Sequence, residues 1–135
     1  MSKHKIPILS IISDKSLKKI SVWGQKNLGI PNLVKFLLSE FQIVCNIERE
    51  IIQAFDRDYS NINGKAEALC RPVNEYECAI ILATCQMASI PITISAGRTN
   101  LTGSATPKGG LILSIEKMKT PSINVDIKSQ TLTTP

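Results

Sequence analysis

The apolar positions of the chain recur at two periods, and the switches between them mark its elements. Residues 1–30 show no clean period and are interrupted by Gly24 and Gly29, so they are expected to form a loosely ordered extension. From Pro31, a favoured first helical residue, Leu33, Val34, Leu37, Leu38 and Phe41 recur at helical spacing. A second helical stretch is expected from Asn46 to Phe55, with Ile47, Ile51, Ile52 and Phe55 on one side. The polar run from Asp56 to Gly64 reads as a loop. Ala66 to Arg71, stopped by Pro72, reads as a strand. Asn74 stands three residues before Glu77, the spacing of a capping box, and predicts a helix to about Ser89 with a buried stripe of Cys78, Ile81, Leu82 and Cys85. Ile92 to Ile94 is expected as a buried strand, Ser95 to Gly110 as a long glycine-bearing turn, and Leu111 to Ile115 as a third strand. Alternation over Ser122–Asp126 and Gln130–Thr134 around Lys128-Ser129 predicts a hairpin.

This order predicts an α+β (α/β-like) fold, a small mixed sheet with packed helices. Three stretches follow: a basic extension over 1–30, a helical lead-in over 31–64, and a sheet-bearing unit over 65–135. Apolar residues make up 43% and charged residues 20%, which excludes a disordered chain, and with 4% aromatic residues the core must be aliphatic.

The net charge of +5 raises a nucleic-acid reading, which its placement argues against. Lys3, Lys5, Lys15, Lys18, Lys19, Lys26 and Lys35 face only Asp14 in the first 35 residues, whereas the remainder holds nine basic and ten acidic side chains. The basicity belongs to a solvated leader and not to a reading surface, so no nucleic-acid partner is expected. Cys45, Cys70, Cys78 and Cys85 lack the spacing of a zinc knuckle, and the one histidine, His4, lies in the leader, so no metal is expected. Cys78 and Cys85 read as small core hydrophobes. Reduced thiols without a disulfide are expected, and with them a cytoplasmic location. The apolar stretch Ile6 to Ile12 is too short for a membrane span and makes a poor signal peptide.

The candidate chemistry sits in the glycine-bearing turn. Ala96, Gly97, Arg98, Thr99, Asn100, Thr102, Gly103 and Ser104 combine turn glycines, short polar side chains and one cation. Such a turn points successive backbone N–H groups into one concavity, a nest that holds an anion such as a phosphate or pyrophosphate. The same residues also suit a plain surface connection. A P-loop is excluded because G-x-x-x-x-G-K-[ST] is absent, and no G-x-G-x-x-G opens a helix.

Arg71-Pro72, the Asn74–Glu77 helix start, Ile90-Pro91-Ile92-Thr93-Ile94, the loop from Ala96 to Gly103, Pro107 to Ser114 and Met118 follow one another in the order and spacing of the FAD-linked oxidases. The chain resembles that family, with its PCMH-type FAD-binding domain, which includes D-lactate dehydrogenases and the glycolate oxidase FAD subunit. Asp56-Arg57-Asp58-Tyr59-Ser60 is similar to the family's lead-in. The resemblance implies the N-terminal subdomain of that domain. It places the FAD pyrophosphate on the backbone amides of Ala96 to Asn100, adds hydrogen bonds from the Thr99 and Asn100 side chains, and has Thr102, Gly103 and Ser104 complete the turn. Ala96 and Arg98 stand where many members carry glycine. Arg98 in a left-handed conformation would cost about 1 kcal/mol and would add a cation near the phosphates. The loop has no histidine for covalent attachment, so FAD is expected to bind non-covalently. The activity implied is FAD-dependent oxidation of a 2-hydroxy acid. The subdomain is expected to be incomplete, its last strands leaving an open edge, with turnover requiring further chain or a companion chain and the catalytic residues unknown. The competing expectation is a non-catalytic α/β module whose loop is vestigial and whose basic tail contacts an acidic partner.

Overall fold

The computed structural model describes residues 11–26 and 29–134. Helices α1 (Asp14–Gly24) and α2 (Ile30–Phe41) come first, followed by the two-residue strand β1 (Cys45–Asn46). The short helix α3 (Arg49–Ile52) runs into a single 3-10 turn over Gln53–Phe55. Then come β2 (Ala68–Cys70), α4 (Glu75–Met87), β3 (Ile92–Ser95), β4 (Leu111–Ser114), β5 (Asn124–Asp126) and β6 (Thr131–Thr133). The expected small mixed sheet is present: β1-β2-β4-β3 in order, with β2, β4 and β3 parallel and β1 antiparallel to β2.

Strand β4 explains why the sheet holds together. It is central and buried at all four residues, as its uninterrupted Leu111-Ile112-Leu113 run requires. Leu111 and Leu113, with Ala68 and Cys70, face a core built from α1, α2 and α4. Ile112 and Leu69 point the other way, onto Ile52, Phe55 and Ala66. The side-chain period of two thus divides one short sheet between two cores. Gly110 admits β4 to the sheet: its φ is +69°, and a Cβ there would drive into the Pro91 carbonyl, which accepts the Leu111 N–H at 2.9 Å.

Several expectations need correction. The part of 1–30 that is described is not loose. Asp14 to Gly24 forms α1, capped by Ser13, whose hydroxyl accepts the Ser16 N–H. It buries Ile20 and Trp23, and Trp23 stacks on Phe36 at 4.7 Å. Residues 1–10, 27 and 28, including most of the apolar stretch from Ile6 to Ile12, lie outside the described residues. The second helix predicted from Asn46 is shortened because Cys45 and Asn46 are drawn into strand pairing, leaving Ile47 and Ile51 exposed. On α4 the Asn74 cap forms, accepting the Glu77 N–H at 2.8 Å, but the buried arc is Ala79, Ile80, Ile81, Thr84 and Cys85. Cys78 and Leu82 are only half-buried and pack against the margin of that core.

The expected buried strand β3 is an edge strand, with Ile94 48% exposed. The hairpin forms as predicted, β5 against β6, and is exposed along its length. Cys45 and Cys70, expected as free thiols, are joined by a disulfide across β1 and β2, where they stand directly opposite each other with Cα atoms 4.6 Å apart. The cytoplasmic expectation leaned on four reduced thiols and loses that support. No helix among the described residues is long and apolar enough to cross a membrane.

Candidate functional site

The loop between β3 and β4 leaves and returns at the carboxyl end of one strand and the amino end of its neighbour. Its second half is tied down backbone to backbone. Lys65 N–H donates to Pro107 O at 2.9 Å, Gly109 N–H to Lys65 O at 2.7 Å and Glu67 N–H to Gly110 O at 2.9 Å. The first half differs. Among the described residues, the backbone N–H groups from Ala96 to Ser104 have no intramolecular acceptor.

What orders that half is Asp58, a side chain sequence reasoning gave no role. Asp58 is 7% exposed. Its Oδ1 accepts from the Ser60 hydroxyl and, at 2.9 Å, from the Ser60 N–H, a local Asx turn. Its Oδ2 accepts from Asn100 Nδ2 and from the Ala105 N–H at 3.4 Å. These bonds, led by the Ser60 hydroxyl, prevail over desolvation and hold the carboxyl down at about 2 from an ordinary 3.8. Tyr59 N–H then donates to Asn100 O at 3.1 Å, so the 56–60 segment grips the loop by side chain and backbone together. The Asp-x-Ser spacing was the available signal, but it predicts only a local turn.

The predicted site residues separate into three groups. Ala96, Gly97 and Thr99 are exposed and offer backbone donors. Asn100, Thr102 and Ser104 bond among themselves: Asn100 Nδ2 reaches Ser104 Oγ at 2.9 Å and Thr102 Oγ1 reaches it at 3.3 Å. Gly103 turns the chain at φ +75°. The structure therefore uses the Asn100 amide to build the loop. Arg98 is the third case. It adopts the left-handed conformation, φ +55°, that its place in the motif implied. Its guanidinium lies 4.4 Å over the Phe55 ring, and Nη1 sits 4.0 Å from Glu116 Oε2. Glu116 also meets Arg71, Oε1 to Nη1 at 3.5 Å.

Four buried side-chain atoms in and beside the loop have no hydrogen-bond partner among the described residues: Ser95 Oγ, Ser114 Oγ, Thr106 Oγ1 and Arg98 Nη1, the last of which has only its longer ion-pair contact with Glu116. Ser95 and Ser114 are register partners at the carboxyl ends of parallel β3 and β4. That is where open parallel sheets bind ligands. A hollow of about 320 Å³ opens beside the loop, lined by Arg57, Asp58, Tyr59, Asn61, Gly97 and Arg98. A second, of about 460 Å³, lies beyond Arg57, against Arg49, Asp56 and Gly64. No cluster of metal-ligating side chains occurs among the described residues.

The loop thus presents a run of backbone donors without an acceptor among the described residues, at the end of parallel strands and fastened to the Asp58 carboxylate. Residues 66–134, just over half of the chain, match the FAD binding domain family, and the chain belongs to that family. Asp58 and Phe55, which hold the loop, lie ahead of the matched region. No curated protein matches the chain.

Proposed function

We propose that the chain binds FAD non-covalently by seating the pyrophosphate on the backbone amides of Ala96 to Ser104. The single observation that carries this is the run of N–H groups without an acceptor among the described residues, in a loop whose Asn100 and Ser104 side chains are already engaged. Donors fixed before the ligand arrives lose little freedom on binding, and an anion satisfies several at once. The loop contains no histidine, and Cys78 and Cys85 lie on α4, on the opposite face of the sheet, with thiols pushed up by burial, Cys85 to about 12. Both features support non-covalent attachment.

The reading extends to an FAD-dependent oxidoreductase of 2-hydroxy acids, which rests on the family resemblance of the motifs from Arg71 to Met118. Bound FAD supplies the hydride-accepting chemistry. The residues of this chain bind and orient. Asp58, the carboxylate nearest the loop, is held ionised by its donors and serves as a pin and not as a proton acceptor.

Hydrogen–deuterium exchange with and without FAD tests the site. Protection concentrated on the amides of residues 96–104 is expected. Protection elsewhere, with those amides unchanged, would place the ligand off the loop.

A further inference from the structure

Arg98 is the cation the motif nominates for the phosphates, yet the structure engages it elsewhere. Its guanidinium is stacked on Phe55 and faces Glu116, so it ties the loop to the 3-10 turn on one side and to the end of β4 on the other. The left-handed backbone at Arg98 turns the chain there and aims the side chain at these two contacts. A guanidinium held in this way braces the loop at the edge of the hollow.

Arg57 is placed differently. It is exposed, and among the described residues no carboxylate lies within ion-pair distance of it, whereas Arg49, Arg71 and Arg98 each face one. It lines the 320 Å³ hollow with Asp58, Gly97 and Arg98, but unlike Arg98 it has no carboxylate or aromatic ring holding its guanidinium among the described residues. Its sequence neighbour Asp58 keeps its negative charge there, but its two oxygens are turned onto the Ser60, Asn100 and Ala105 donors, which leaves Arg57 without an ion-pair partner among the described residues.

We infer that Arg57 is the cation that meets the ligand's phosphates and that Arg98 is a positioning residue that braces the loop. The inference rests on the phosphate-binding reading of the loop and assigns a division of labour within it. A planar guanidinium on a flexible stem suits bidentate contact with a diphosphate, and the Arg57 side chain is free to move onto one.

The test is calorimetric titration of the whole chain with ADP, at several salt concentrations, for the wild type, Arg57→Gln and Arg98→Gln. A direct arginine–phosphate contact is screened by salt, so its loss flattens the salt dependence. Arg57→Gln is expected to weaken ADP binding by about ten-fold or more and to flatten that dependence. Arg98→Gln is expected to keep the wild-type salt dependence while speeding exchange of the amides at 96–104 in the free protein. The reverse pattern, with Arg98→Gln flattening the dependence and Arg57→Gln leaving it intact, overturns the assignment. Failure of the wild type to bind ADP at all would sink the phosphate-loop reading, and this inference with it.

Discussion

Asn100 donates its side-chain amide to the carboxylate of Asp58, a residue 42 positions earlier in the chain. The bond fastens the candidate FAD loop to the segment that follows the first three helices. It makes the loop's shape a property of two stretches of chain. Asp58→Asn keeps the size of the side chain but removes the charge that all four donors share. Exchange of the loop amides at 96–104 is expected to speed up markedly, with the amides of β4 unchanged. Slow exchange in that variant would show that the loop is held by other means.

The same carboxylate makes a pH prediction whose sign is fixed. Its folded pKa, about 2, lies below the ordinary 3.8. Its contribution to stability is therefore fully present above about pH 4 and is lost as pH falls through about 2. Urea midpoints of the wild type and Asp58→Asn should differ at neutral pH and converge across that window. A constant gap would mean that Asp58 does not titrate as its hydrogen bonds require.

Helix α1 is integral to the fold, and two substitutions on its opposite faces separate that from a loose extension. Ile20 is 1% exposed and Val22 is 56% exposed. Ile20→Ala should cost about 2–5 kcal/mol by chemical denaturation and Val22→Ala less than about 0.5 kcal/mol. Two neutral variants would mean that α1 does not pack on α4.

Much of this architecture can be read from residue patterns, and the rest is hidden for physical reasons. The strand–helix–strand order from Ala68 to Ser114 shows itself because the Asn74–Glu77 cap and the unbroken Leu111–Leu113 run are local signals. Helix α1 escapes such reading because Leu17, Ile20 and Trp23 are few among its lysines and serines, and tertiary packing supplies what periodicity lacks. The Cys45–Cys70 bond depends on the register of a two-residue strand, which no spacing rule encodes. At the site, the loop residues stand out by composition. Their roles do not, because Asp58, Phe55 and Glu116 reach Asn100 and Arg98 only through the fold.

The disulfide carries its own test. Denatured, unreduced protein should expose two reactive thiols, Cys78 and Cys85, and native protein should react slowly at both because burial raises them. Closing the 25-residue separation restricts the unfolded chain, so reduction should lower stability by about 3 kcal/mol. Four reactive thiols in denatured protein prepared under oxidising conditions would contradict the pairing.

Gly110 is the point where β4 passes the Pro91 carbonyl, and its φ of +69° suits glycine alone. Gly110→Ala combines a left-handed alanine with a backbone clash, and a loss of about 3 kcal/mol is expected by denaturant unfolding. A near-neutral result would mean that the β3–β4 crossing has room for a Cβ beside the Pro91 carbonyl.

On the proposed function, the loop from Ala96 to Ser104 is a working FAD cradle. It is tested most directly by titrating the purified chain with FAD and following flavin fluorescence and thermal unfolding together. Saturable binding that raises the melting temperature, and that is weakened in Asp58→Asn, is the result predicted. No change in either signal at saturating FAD, or equal binding by the wild type and Asp58→Asn, would contradict it.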